Sequence, residues 1–318
     1  MPGVSVVTVT RAEEGQKLAS FLQRRVGRDL PRSALLRWIR TGQVRVDGGR
    51  KKPFYRLQQG QEVRIPPYTP SQTREKSSAE APSPHMSGPE RSLHIVHEDP
   101  DLLVLAKPAG LPVHGGTGHA DSIAARLAAR YAESPFTPTL CHRLDRDTSG
   151  LLLAAKTYAA LRKLNNALAG RHVEKTYLAW VIGDWPHPHE TLLEDRLEKS
   201  GPAGAQRVRP GKGKTALARV RPLRRVCLPP RQQTVTLLAV TLLTGRTHQI
   251  RVQLASRGHP LVGDAKYGPS RPGRGKHNHQ ESIMYLHAWK LRLPERSFCV
   301  LPDWPPPLHV SEHILQEF

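Results

Sequence analysis

The spacing of apolar residues changes character along the chain, and each change predicts a different element. Leu18, Phe21, Leu22 and Val26 recur three and four residues apart, which places them on one face of a helix. A second helix is predicted over 31–41: Pro31 suits a first turn, Leu35, Leu36 and Ile39 face inward, and Gly42 supplies a left-handed cap. Arg32, Arg37 and Arg40 then fall mostly off that apolar face. Strict alternation follows at Val44 and Val46, an Asp47-Gly48 turn signal, and a further alternating stretch at Val63 and Ile65. Beyond about residue 93 the apolar positions run together, at 102–105, 151–155, 177–181 and 235–243, as in strands buried on both faces. Helical spacing appears at 121–131 and 157–168. Strands dominate and the helices do not alternate with them regularly, so the expected class is α+β.

Two polar stretches interrupt this pattern. Residues 69–92 are rich in Ser, Pro and charge and hold little that could enter a core, so they read as a flexible linker. Residues 200–216 are basic and glycine-rich and read as a mobile loop able to touch phosphate. The expected division is therefore a small basic module over 1–68, a linker over 69–92 and a larger α+β unit with a mixed, mainly antiparallel sheet over 93–318.

Charge narrows the class of partner. The formal net charge is +21, and residues 1–68 alone carry fourteen Lys/Arg against five Asp/Glu. Such an excess attracts a polyanion, because every phosphate contact releases condensed counterions. No apolar run reaches the length of roughly 18 residues needed to cross a bilayer, and no lipidation motif is present, so a membrane is not the expected partner. Cys141, Cys227 and Cys299 are odd in number and widely spaced, which fits neither a disulfide framework nor a CxxC metal pair. With no apolar signal segment after Met1, the cytoplasm is the expected compartment.

The densest chemistry lies in Cys141-His-Arg-Leu-Asp-Arg-Asp-Thr-Ser-Gly150, set against the apolar run that follows. A carboxylate at the entrance to a buried strand must be paired or its pKa rises, and the neighbouring arginines supply partners. In isolation the segment also reads as a salt-bridged turn. Three further segments stand in order around it. They are Asp101-Leu-Leu-Val-Leu-Ala-Lys-Pro-Ala-Gly-Leu-Pro-Val-His114, Glu174-Lys-Thr-Tyr-Leu-Ala179, and Gly245-Arg-Thr-His-Gln-Ile-Arg-Val252 with its continuation through Gly263-Asp264 to Tyr267-Gly268. Leu286-His287-Ala288 closes the series. Together they resemble the pseudouridine synthases of the large-subunit ribosomal RNA and tRNA "A" family over roughly residues 93–295. The helix–helix–strand run at the N-terminus resembles the S4 RNA-binding domain.

The resemblance implies an RNA isomerase that flips a uridine out of its stack, with ribosomal RNA as partner and no cofactor or metal. It makes Asp145 the nucleophile, by direct attack on the ribose or by a glycal path. It places Arg251 in a salt bridge with Asp145, where a guanidinium can pair two-pronged with a carboxylate. Tyr177 is implied against the uracil with a part in proton transfer at C5, with Leu286 packed opposite. Arg143 is implied in the space the flipped base leaves. Arg246 and the N-terminal Arg32, Arg37, Arg40 and Arg45 are expected to contact RNA. One departure from the family pattern is Gln253, where His is usual, on what reads as a strand.

Other readings are weaker. His187-Pro-His189-Glu190 and His277-Asn-His279 lack the helical spacing or cysteine partners of a zinc site. Gly115-Gly116-Thr117-Gly118 lacks the ending of a phosphate loop. A hydrolase with paired carboxylates would need Asp145 and Asp147 to share a face of an extended strand. A non-catalytic RNA-binding factor would have lost one of Asp145, Tyr177 and Arg251, and all three are present. A monomer is expected.

Overall fold

The computed structural model describes residues 3–27, 30–68, 92–115, 121–201, 206–230, 232–269 and 283–315. The predicted linker apart from Ser92, the 116–118 segment and the 277–279 histidines lie outside these residues.

Residues 3–68 pack around a core of their own. Strand β1 (Ser5–Thr8) is followed by helices α1 (Leu18–Val26) and α2 (Arg32–Thr41), then β2 (Arg45–Val46) and β3 (Glu62–Ile65). The three strands form one antiparallel sheet in the order β1-β3-β2. All four expected residues of α1 are buried. Gly42 ends α2 in the left-handed region at φ 76, as expected, and its N–H bonds back to Ile39. Two details differ from the pattern. Leu36 is only half-buried, and Trp38 takes the third inward place beside Leu35 and Ile39. The edge strand β1 carries little signal in the pattern, because Val6 is exposed and only Val7, half-buried, packs on the core.

The second unit is built on an eleven-stranded sheet. In chain order its elements are β4 (His94–Glu98), β5 (Leu102–Lys107), α3 (Ile123–Arg130), β6 (Thr139–Leu140), β7 (Ser149–Ala155), α4 (Tyr158–Ala169) and β8 (Glu174–Ile182). There follow β9 (Thr191–Ser200), β10 (Arg207–Pro210), β11 (Lys214–Leu228), β12 (Gln233–Leu242), α5 (Gln249–Ala255), β13 (Leu286–Arg292), β14 (Ser297–Cys299) and α6 (Glu312–Leu315). The path is β10-β9-β11-β12-β8-β13-β7-β5-β4, with β14 on β13 and β6 on β7. Among these described strands, every pairing is antiparallel except β13 with β7. The α+β expectation holds, and the helices 121–131 and 157–168 appear as α3 and α4, capped by Ser122 and Thr157.

Side chains alternate across the sheet. Tyr177, Ala179 and Val181 of β8 join a core with Leu286, Ala288, Leu152 and α5 on one face. Leu178 and Trp180 turn to the other face, against Trp289 and Trp304, while Leu151 and Leu153 pack there toward α4. Burial of both faces explains the uninterrupted apolar runs. Gly150 marks a very tight point: it sits at φ +108, and a Cβ there would overlap the backbone of Ala288 on the parallel neighbour β13.

The stretch 200–216 corrects the sequence reading. Its described part is not a loop but β10, a turn and the start of β11. Val208 and Ala216 bury there with Leu197 and Val252. Two buried side chains in a basic stretch suffice for strands when the neighbour β9 supplies the hydrogen-bond partners.

Candidate active site

Asp145 lies in the turn that leads into β7. Arg251 approaches from α5, and its Nη1 donates to Asp145 Oδ2 at 3.1 Å. Asp145 Oδ1 receives no hydrogen bond from any described residue. The two-pronged pairing expected for Arg251 is not with Asp145. It is with Asp264, which accepts from Nε and Nη2 at 2.8 Å each. Asp264 is fully buried as a side chain and also accepts from the backbone N–H groups of Lys266 and Tyr267. Burial alone would raise its pKa, but the Arg251 hydrogen bonds and charge prevail and hold it below the usual carboxylate range. Burial likewise opposes the charge on Arg251, and Asp264 and Asp145 reverse that and raise its pKa. Arg251 is thus a fixed cation that offers one remaining arm to Asp145.

Around this pair lies a cavity of about 310 Å³ lined by Arg143, Asp145, Lys175, Tyr177, Arg246, Arg251 and Leu286 among others. This volume is at the small end for a ligand site, roughly 300–1,000 Å³. Tyr177 is 6% exposed. Burial, then the Asp145 charge, raises its pKa, so the phenol keeps its proton. Leu286 pairs with Ala179 in the β13–β8 register, while Tyr177 pairs with Ala288. Leu286 and Tyr177 are therefore diagonal neighbours on one sheet face, adjacent rather than opposed. Arg143 is exposed at the mouth. Arg246 is also exposed, with Nε anchored on Thr215 O at 2.9 Å. Five residues of the predicted set, Asp145, Tyr177, Arg251, Arg143 and Arg246, therefore meet Leu286 at one cavity.

The N-terminal arginines lie elsewhere. Arg32, Arg37, Arg40 and Arg45 are all exposed. Arg37 and Arg40 line a separate groove of about 980 Å³ with Arg50, Lys51, Lys52 and Phe54, and no acidic side chain among the described residues lines it. Arg45 turns away to its own hairpin, donating to Gly48 O.

Several residues of the quoted motifs have contacts that the sequence pattern does not reveal. Lys107 is buried and its Nζ donates to the carbonyls of Pro108, Leu111 and Arg146, tying β5 to the turn beside Asp145. Burial lowers its pKa to about 7 against the pull of Asp147 and Asp145. Three carbonyl acceptors require three protons, so the geometry argues for the ammonium form. His142 accepts from Leu153 N–H and is held neutral, its pKa pushed down to about 3 by burial. Lys175 lines the cavity, its ammonium donates to no described residue, and burial lowers its pKa. His248, Asp264 and Tyr267 stand inside the ordered motifs, but spacing alone gives no sign that the chain folds back on itself there.

One further expectation is corrected. The segment around Gln253 is the helix α5, not a strand. Gln253 is 1% exposed and bonds Asp195 Oδ2 and Ala216 O. It is a packing residue rather than an RNA contact. Asp145 and Asp147 do not share a strand face: they lie in a turn, and Asp147 pairs with its neighbour Arg146. His187 meets the edge of Trp185, and no group of three metal-ligating side chains gathers among the described residues.

The chain is similar to known proteins over most of its length. A model of the RNA pseudouridylate synthase family matches residues 101–256. The ribosomal large subunit pseudouridine synthase C of Escherichia coli (strain K12) is 38% identical over 269 residues, 84% of this chain and 81% of that protein. The chain belongs to the RNA pseudouridylate synthase family. A synthase C of Haemophilus influenzae is 36% identical over 91% of this chain and 87% of its own. The solved structure of human RNA Pseudouridylate Synthase Domain Containing 1 superposes with a TM-score of 0.56 at 25% identity, covering 72% of this synthase and 96% of that chain. The family match spans Asp145, Tyr177 and Arg251, whereas the synthase's Asp264, Tyr267 and Leu286 lie beyond it.

Proposed function

We propose that this synthase isomerises uridines of large-subunit ribosomal RNA, with Asp145 as nucleophile, Arg251 as its fixed counter-charge and Tyr177 against the base. The observation that carries the reading is the Arg251–Asp145 contact at the floor of a cavity walled by Tyr177 and Leu286. The substrate class is taken from relatives named for the large ribosomal subunit.

The target base must leave its stack, at a cost of a few kcal/mol. Arg143, exposed and planar, fills the space left behind. In the cavity, Asp145 Oδ2 is engaged by Arg251 and Oδ1 is free to act at the ribose. Cleavage of the N1–C1′ bond releases the base, which turns within the cavity until C5 faces C1′. Formation of the C5–C1′ bond releases Asp145 from the ribose as a carboxylate; the C5 proton passes to water and N1 takes one up, so the isomerisation consumes no net acid or base. Tyr177, kept protonated by burial, serves as donor and packing surface for the turning uracil rather than as a phenolate base. Residues 1–68 act as an S4-like RNA-binding domain, gripping phosphates through the basic groove that holds Arg37 and Arg40. Arg32 and Arg45 lie on the exposed surface of the same domain. Similarity to a relative over 91% of the chain necessarily extends into this domain.

The deciding experiment is Asp145→Asn, assayed by tritium release from [5-³H]uridine-labelled large-subunit rRNA transcript. Isomerisation is expected to vanish while RNA affinity stays within about twofold, since one neutralised acid weakens no phosphate contact. Continued tritium release by the variant sinks the assignment.

A further inference from the structure

His248 occupies an unusual place. It caps α5 in the left-handed region, at φ 51 and ψ 25, which a residue other than glycine rarely adopts. Its ring lines the cavity. One ring nitrogen, Nε2, lies 3.8 Å from Asp145 Oδ2. The other, Nδ1, lies 2.8 Å from the hydroxyl of Tyr267.

The proton positions are assigned from the partners of Tyr267. Its hydroxyl oxygen accepts from Val208 N–H at 3.1 Å. Its single proton has one described acceptor within reach, His248 Nδ1. With Nδ1 accepting, a neutral ring carries its proton on Nε2, directed at Asp145. Burial favours that neutral ring. Asp145 and Asp264 pull the other way, and Arg251 and Lys266 reinforce it. The ring of Tyr267 also lies over the Arg251 guanidinium at 5.2 Å, so one tyrosine fixes both groups that approach Oδ2.

We propose that His248, held by Tyr267 as the Nε2–H tautomer, is a positioning residue that closes on Asp145 Oδ2 as a second donor and leaves Oδ1 as the reacting oxygen. This rests on the reading of Asp145 as nucleophile. A movement of about 1 Å brings the 3.8 Å separation to charge-assisted hydrogen-bond length. With donors from Arg251 and His248 on one oxygen, the carboxylate no longer rotates and presents the other oxygen to the ribose. Orientation of this kind acts on the chemical step and not on RNA binding.

The test uses the full chain with three variants. His248→Gln places an amide N–H near the Nε2 position. His248→Asn reaches only the Nδ1 position. Tyr267→Phe keeps the ring over Arg251 and removes the hydroxyl that selects the tautomer. Single-turnover tritium release from the labelled large-subunit rRNA transcript is measured at saturating enzyme, alongside RNA Kd and Tm. The glutamine variant is expected within about threefold of the unaltered enzyme, and the asparagine and phenylalanine variants slower by about tenfold or more, all with Kd unchanged. Equal rates for the glutamine and asparagine variants, or effects confined to Kd, overturn the proposal. Asp145→Asn run in parallel separates the two ideas: if that variant still releases tritium, the reading of Asp145 fails, whatever His248 does.

Discussion

The pairing of Arg251 with Asp264 offers the sharpest test of how the site is held. Replacing Asp264 with asparagine changes few atoms but much physics. The amide oxygen can still accept from Lys266 and Tyr267 N–H, as Oδ1 does now. Its NH₂ must then face a guanidinium nitrogen where Oδ2 stood at 2.8 Å. A donor opposes a donor, and a guanidinium with 8% side-chain exposure loses its main counter-charge. Removing one partner of a buried pair costs about 3–5 kcal/mol. For a unit of this size each kcal/mol lowers Tm by roughly 2–4 °C. A fall on the order of 10 °C is therefore expected by thermal unfolding. The sign with pH is also fixed. Asp264 has a folded-state pKa below its unfolded value, so its contribution is complete above the unfolded pKa and is lost as pH falls through the folded one. The difference between the Asp264→Asn variant and the unaltered enzyme should therefore shrink in acid. Below the variant's Tm, the folded protein should still isomerise more slowly, because Arg251 is no longer aimed. Unchanged Tm and rate in the Asp264→Asn variant would refute the claim that Asp264 holds Arg251.

Three further outcomes are expected. Gly150→Ala must leave φ +108 and push Ala288 aside; the dihedral alone costs about 1–3 kcal/mol, read as a lowered urea midpoint. His142 and His287 are held neutral by burial, with pKa values pushed down to about 3 and about 4. Stability is then full above the unfolded histidine pKa and falls as pH drops from about 6.5 toward 4, by up to roughly 1.4 kcal/mol per pH unit for each proton; urea unfolding of His287→Gln should show a shallower fall, and an unchanged slope would contradict it. Changing Arg37, Arg40 and Lys51 together to Gln should weaken RNA binding and flatten the salt dependence by roughly 0.7–0.9 for each phosphate no longer neutralised, whereas an unaltered slope would remove that groove from the RNA interface.

What the sequence discloses and what it hides divide along physical lines. Local rules suffice for α1, α2, α3 and α4, where apolar spacing, Ser or Thr caps and a C-terminal glycine act within a few residues. The buried strands are legible because burial on both faces leaves no polar run within 151–155 or 177–181. Asp145, Tyr177, Arg251 and Leu286 stand out through ordered motifs, and the cavity gathers them. Distance in the chain conceals the rest. Asp264 belongs to a quoted motif, but its pairing with Arg251 is hidden until the turn at Gly263 brings the two together. The 249–255 segment is too short to announce itself as a helix, and its pattern suits a strand equally well. Basic, glycine-rich composition hides β10 and the start of β11, although single positions such as Val208 and Ala216 are buried.

The parallel pairing of β13 with β7 bears on how the molecule is made. β13 inserts between β7 and β8, yet it leaves the ribosome long after either of them. Until then the two halves of the sheet have no common neighbour, and the wall that Leu286 contributes does not exist. A growing chain therefore carries the whole aspartate motif without a chamber to use it in. The cavity is complete only once β13 has taken its place between them.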